Sequence, residues 1–118
     1  MRLAAELLVA LVALLHVYIL VLEMFLWDKP YGRRVFRLTP EDAAATKVLA
    51  ANQGLYNGFL AAGLFWGLWL ASMPVQVFFL LCVFAAGVFG GFTANRKILV
   101  VQALPAAVAL VLCLLAAA

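Results

Sequence analysis

The stretch ANQGLYNGFLAAGLFWGLWLA, residues 51–71, has the length of a membrane-spanning helix but an unusually polar beginning. Leu, Ala, Gly, Phe and Trp make up its second part, whereas four polar side chains lie near its start: Asn52, Gln53, Tyr56 and Asn57. An amide moved from water into hydrocarbon without a hydrogen-bond partner costs about 4 to 8 kcal/mol. These side chains are therefore expected to face protein, water or a ligand rather than lipid tails.

The rest of the chain is equally apolar. Of its 118 residues, 69% are hydrophobic and 11% are charged, against about 25% charged in an average soluble domain. The mean hydropathy of +1.18 excludes a soluble globular domain, because too few polar residues remain to cover its surface. Long apolar segments predict helices over roughly 3–27, 40–71, 75–95 and 98–117, which make residues 1–118 a single transmembrane domain. The first segment is too long for a signal peptide and has no cleavage site, so we expect it to be retained.

The connections predict the topology of these helices. The second and third are short, and short connections place successive helices side by side and antiparallel. Seven of the eight basic residues lie in the first and third connections, and only Arg2 lies at the other side. Because such loops remain cytoplasmic, we expect an all-α, integral-membrane four-helix bundle with up-down topology, N-out and C-out, in the plasma (inner) membrane.

With this topology, nearly all intramembrane polar groups fall in the cytoplasmic half. His16 lies near the middle of the first helix, and Glu23 lies on the same face about 10 Å nearer the cytoplasm. We therefore predict a pocket that opens to the cytoplasm and is closed outside. Its expected lining residues are His16, Glu23, Trp27, Asn52, Gln53, Tyr56, Asn57, Arg96 and Gln102.

Glu23 and His16 are the candidates for chemistry. A carboxylate at the centre of a span costs about 2.5 to 3.5 kcal/mol, so Glu23 should be paired with Arg96, hydrogen-bonded by Asn or Gln, or protonated. His16 is the only histidine and could act as an acid or base, but a lone His also serves as an interhelical hydrogen-bond partner. One His and two distant cysteines, Cys82 and Cys113, do not form a zinc motif, so we expect no metal and no cofactor.

Small residues indicate how the helices pack. Three G-x-x-x-G pairs, which let helix backbones approach closely, are Gly54 with Gly58, Gly63 with Gly67, and Gly87 with Gly91. Pro105 removes a helical hydrogen bond and should bend the last helix.

The first connection contains a helix start and a basic segment. Thr39 is placed to cap a helix that has Pro40 at its first position and two acidic residues in its first turn. The preceding YGRRVFR, residues 31–37, either sets the topology alone or lies at an anionic membrane surface.

The strings ANQGLYNGFLA and RKILVVQALPA (residues 96–106), with a first helix carrying His16, Glu23 and Trp27, resemble an uncharacterised bacterial family of small four-helix membrane proteins, domain of unknown function thirteen-oh-four. The resemblance covers essentially the whole chain and implies four spans but no activity. The positions that match its pattern are His16, Glu23, Trp27, Asn52, Gln53, Gly54, Tyr56, Asn57, Gly58, Arg96, Gln102 and Pro105. The chain also has a looser architectural similarity to DoxX-like and sterol-isomerase-like membrane domains. That similarity does not imply a shared function.

Three functions are compatible with these patterns. We favour binding or transport of a small lipophilic or amphiphilic ligand in the predicted pocket by a homo-oligomer. An intramembrane enzyme would use His16 and Glu23 as acid and base on a lipid-like substrate. A scaffold or assembly partner would dock through its glycine faces and basic loop. No glycine-rich nucleotide loop is visible, and we expect the lipid bilayer rather than nucleic acid as a partner.

Overall fold

The computed structural model describes all residues, 1–118, and is entirely helical. The last helix begins with a π-helical turn, Leu99–Ala103, which continues directly into α5. The helices are α1 (Arg2–Met24), α2 (Pro30–Phe36), α3 (Pro40–Trp69), α4 (Met73–Thr93) and α5 (Leu104–Ala117).

Three helices are long and apolar enough to cross a membrane: Arg2–Met24, Met73–Thr93 and Leu99–Ala117. The 30-residue α3 is not one of them, and it carries the polar side chains near residue 52. The predicted all-helical, membrane-compatible chain is therefore confirmed. The four-helix bundle and its orientation stay predictions.

The packing divides the chain into two compact units, which are described separately. Unit 1 comprises residues 1–14 and 60–118, and unit 2 comprises residues 15–59.

Unit 1 has an apolar core of small and branched side chains. Its fully buried members are Ala5, Val9, Val12, Ala13, Leu64, Leu80, Val83, Ala106, Ala109 and Cys113. Helix α3 runs antiparallel to α4, because Gly67 lies against Gln76 while Gly63 lies against Phe79. A β-carbon at Gly87 would lie 2.6 Å from the backbone nitrogen of Ala103, so α4 and the π-helical turn touch backbone to backbone.

In unit 1, local sequence determines the backbone at two places, the turn between α3 and α4 and the π-helical turn before α5. Helix α3 ends in a Schellman motif, in which Ala71 has φ 51° and Ser72 N–H donates to the Gly67 carbonyl at 2.9 Å. Ser72 also caps α4, since its Oγ accepts from Val75 N at 3.3 Å. At the start of α5, Pro105 has no N–H and its ring crowds the preceding turn. The helix widens there, and Leu104 N–H bonds to Leu99 O five residues earlier.

Unit 2 contains the end of α1, all of α2 and the start of α3. Gly54 and Gly58 face α1: a β-carbon at Gly54 would lie 2.6 Å from Met24 Cγ, and one at Gly58 would lie 2.6 Å from Leu20 Cδ1. These contacts make the two helix segments antiparallel. The start of α3 has the predicted cap, because Thr39 Oγ1 accepts from Asp42 N at 3.1 Å.

The segment between α1 and α3 differs from the expected plain connection. Helix α1 ends at Met24, three positions before the predicted end at 27, and the chain then forms the seven-residue α2. This short helix ends in its own Schellman motif, with Arg37 at φ 55° and Leu38 N–H bonded to Arg33 O at 2.8 Å. The sequence pattern does not predict α2, because this segment is too short to show a helical period and contains two arginines among its seven residues.

Candidate functional site

The predicted site residues Glu23 and Asn57 meet in unit 2. Asn57 Nδ2 donates a 2.5 Å hydrogen bond to Glu23 Oε1, and both side chains are half-buried. The contact depends on Gly54, whose β-carbon position lies 3.1 Å from Glu23 Cβ, so the helices are close enough for a short amide to reach the carboxylate. Of the three alternatives predicted for Glu23, hydrogen bonding by an amide is observed, and no ion pair to Glu23 forms within unit 2.

Trp27 joins two neighbouring elements. Its Nε1 donates to Thr46 Oγ1 at 3.0 Å, and Thr46 in turn donates to the Asp42 carbonyl at 2.7 Å. The Trp27 ring also lies 4.8 Å from the Phe36 ring of α2. Trp27 therefore fixes both α2 and the first turns of α3 against the end of α1.

Two further polar pairs in unit 2 were not anticipated. Lys47 Nζ lies 3.0 Å from Asp28 Oδ2, and this bonded ammonium holds the pKa of Asp28 below its usual range. The hydroxyls of Tyr18 and Tyr31 are 2.6 Å apart, which connects α1 to α2. No short motif could have revealed these pairs, since their members are separated by 13 to 19 residues.

The polar residues at the start of α3 divide into two groups. Asn57 is half-buried in the Glu23 contact, whereas Asn52, Gln53 and Tyr56 are exposed. The Tyr56 ring packs edge-on against Phe59 at 6.0 Å. This surface is polar and aromatic, and the pocket expected to open from it to the cytoplasm stays a prediction.

The remaining predicted lining residues occupy different environments. His16 is fully buried in unit 2. In unit 1, Gln102 lies half-buried in the π-helical turn, and Arg96 is exposed after the end of α4. The Glu23–Arg96 pair, one of the three alternatives predicted for Glu23, would join the two units and also stays a prediction.

Unit 1 contains a cavity of about 240 Å³ that shares no residue with the predicted pocket. Its polar lining comes from Arg2, Glu6 and Gln76. Arg2 Nε and Glu6 Oε1 are 3.2 Å apart, and the buried Gln76 donates through Nε2 to the Gly67 carbonyl at 3.1 Å. Each of these three polar side chains thus already has one bonded partner in the protein.

Comparison with known proteins agrees with the resemblance seen in the sequence. The family described as "Protein of unknown function (DUF1304)" matches residues 10–114. The "Uncharacterized protein YpaA" of Lactococcus lactis subsp. lactis is 33% identical over 96 residues, which cover 78% of this chain and 81% of the relative. No solved structure matches the chain.

Both similarities extend over most of the chain, and the family match includes the larger part of α1, all of α2 and the polar start of α3. The resemblance noted above is therefore confirmed, and the chain belongs to the DUF1304 family of proteins of unknown function.

Proposed function

We propose that this protein is a multi-pass protein of the plasma membrane that binds or transports a small lipophilic or amphiphilic molecule at the Glu23–Asn57 pair. The observation that carries the proposal is the carboxylate of Glu23 on a membrane-compatible helix, bonded in its unit by a neutral amide. Carboxylates are rare within apolar helices because their desolvation is expensive, and they usually serve a function there.

The geometry favours a ligand with a cationic or hydrogen-bond-donating head. Asn57 occupies Oε1 of Glu23, which leaves Oε2 for another donor. A cationic head would gain both the charge interaction and a hydrogen bond in a medium of low polarity. The carboxylate is then the anchor for the head group.

The exposed start of α3 supplies a surface for the rest of such a ligand. Gln53 lies one turn before Asn57, and Asn52 lies one turn before Tyr56. These two pairs therefore lie on adjacent faces of the helix. Tyr56 and Phe59 offer aromatic contact area. An amphiphile could therefore enter laterally from the membrane.

The membrane arrangement is part of the proposal. We place α3 as a fourth span, N-out and C-out, with its polar start near the cytoplasm, because its second half is apolar and the basic residues cluster in two connections. Four spans rarely enclose a complete transport path, so a homo-oligomer would form any such path.

The proposal is tested by thermal unfolding of the purified protein in a mild detergent. We expect tetraphenylphosphonium, a lipophilic cation, to raise the melting temperature more than uncharged triphenylphosphine oxide does. The shift should disappear in Glu23→Gln and persist in the matched control Glu6→Gln, whose carboxylate lies in unit 1. Equal shifts in wild type and Glu23→Gln would overturn the proposal.

A further inference from the structure

We propose that α2 is a docking surface for anionic phospholipid head groups, independent of any ligand at Glu23. Helix α2 begins at Pro30, six positions after the membrane-compatible α1 ends at Met24. Because the head-group layer is only several ångströms thick on each side of the hydrocarbon core, so short a connection keeps α2 near the membrane surface.

Helix α2 is held firmly in place. Gly32 is buried, and a β-carbon there would overlap the carbonyl of Leu26. Phe36 packs on Trp27, and Tyr31 bonds to Tyr18. Three contacts along seven residues fix the helix, so its side chains present a preformed surface.

The charge of this surface is strongly positive. Residues 29–37 contain Lys29, Arg33, Arg34 and Arg37 but no Asp or Glu. The preceding Asp28 is already bonded to Lys47. The next acidic residues lie in the first turn of α3, where the helix dipole stabilises them. The cations of α2 therefore lack carboxylate partners, and anionic head groups would supply the missing charge.

The side chains of α2 match an interfacial position in other respects. Tyr31 and Val35 are exposed one turn apart on the same face, and Tyr is enriched at membrane–water interfaces. The Arg34 guanidinium lies 5.8 Å from the centre of the Tyr31 ring. Basic and apolar groups therefore alternate on the exposed surface, as expected for a helix at the level of the head groups.

Arg33 adds a donor that the protein leaves unused. Its Nε is buried and has no hydrogen-bond partner, although buried donors are nearly always satisfied. Guanidinium groups bind phosphate oxygens through paired N–H donors. A lipid phosphate beside Arg33 and Arg34 would satisfy this donor after a small side-chain adjustment.

Native mass spectrometry of the detergent-purified protein tests the inference. The protein is mixed with phosphatidylglycerol or phosphatidylcholine of identical acyl chains, and retained lipid is counted. We expect preferential retention of phosphatidylglycerol, and a loss of affinity of about fivefold for each arginine replaced at low salt. The test variant is the triple substitution Arg33→Gln, Arg34→Gln and Arg37→Gln.

Two controls make the result decisive. Arg2→Gln with Lys97→Gln removes from unit 1 the same charge that the double variant Arg33→Gln and Arg34→Gln removes from α2, and it should leave the lipid preference unchanged. The triple Arg→Lys variant at positions 33, 34 and 37 keeps the charge but removes the guanidinium groups, and we expect it to retain part of the preference for phosphatidylglycerol. It replaces the Arg→Gln variant as the test if that variant is unstable. The inference would be overturned if wild type retained both lipids equally. It would also be overturned if the α2 and unit 1 variants lost the preference for phosphatidylglycerol to the same extent.

Discussion

Units 1 and 2 are stabilised by different interactions. Unit 1 has a continuous apolar core, and its helices approach through glycines until their backbones touch. Unit 2 also uses glycines for close approach, but it adds a carboxylate–amide bond, a Trp–Thr bond, a tyrosine pair and an ion pair. Unit 1 also contains the Arg2–Glu6 ion pair and the Gln76–Gly67 hydrogen bond. All four of these side-chain contacts in unit 2, however, join residues that are 13 to 34 positions apart along the chain. The comparison therefore favours unit 2 as the functional region.

The largest expected effect tests the packing of unit 1. Gly87→Ala would place a β-carbon within 3 Å of backbone atoms of Ala103, which cannot move without displacing the π-helical turn. We expect a destabilisation of about 2 to 3 kcal/mol, measured by unfolding in mixed detergent micelles.

Gly90→Ala is the matched control on the same helix. Its β-carbon would lie 3.4 Å from side-chain methyl groups of Ile98, which can adjust. The higher helix propensity of Ala should offset this contact. Equal destabilisation by the two substitutions would contradict the proposed backbone contact.

The second effect tests the polar contact in unit 2. Asn57→Ala removes the partner of the Glu23 carboxylate and should destabilise the protein by about 1 to 3 kcal/mol, because a half-buried charged group loses its hydrogen bond. Circular dichroism during denaturation would measure this loss. In the Glu23→Gln background, the same substitution should cost less.

Asn52→Ala provides the control for this contact, since Asn52 is exposed on the same helix. A surface substitution usually changes stability by no more than about 0.5 kcal/mol. If Asn52→Ala lowered the free energy of unfolding as much as Asn57→Ala, the loss in Asn57→Ala could not be assigned to the Glu23 contact.

The third effect should be stabilising. Ala71 adopts left-handed backbone geometry at the end of α3, where Gly avoids the steric cost of a β-carbon. We expect Ala71→Gly to raise the free energy of unfolding by about 1 kcal/mol. Ala62→Gly, in the middle of α3, should be destabilising instead, so stabilisation by both would refute the backbone explanation.

The smallest effect concerns the Asp28–Lys47 pair. The pKa of Asp28 is lowered in the folded protein, so its contribution to stability is present above the unfolded pKa of about 3.9. That contribution is lost as the pH falls through the lower folded pKa. Melting temperatures of wild type and Asp28→Asn should therefore converge as the pH decreases. A constant difference would show that another group is responsible.

Features with local causes were predictable from the sequence. Long apolar segments predict helices that can cross a membrane, and the Thr39 cap with Pro40 predicts where α3 begins, because these signals involve neighbouring residues. The strings around Asn52 and Pro105 were sufficient to recognise the family. The proline also implied a disturbed last helix, although not that the disturbance would be a π-helical turn.

Contacts between residues far apart in the sequence could not be predicted in the same way. The sequence suggested several partners for Glu23, and the structure places Asn57 on it because Gly54 lets α1 and α3 approach. The exposure of Asn52, Gln53 and Tyr56, and the docking of α2, also depend on how helices pack.

Apolar length and local capping are properties of consecutive residues, so the sequence by itself determined the helical, membrane-compatible character of this chain. The choice of hydrogen-bond partners depends on side chains brought together across helices, so only the tertiary structure determined the Glu23–Asn57 pair and the basic surface of α2.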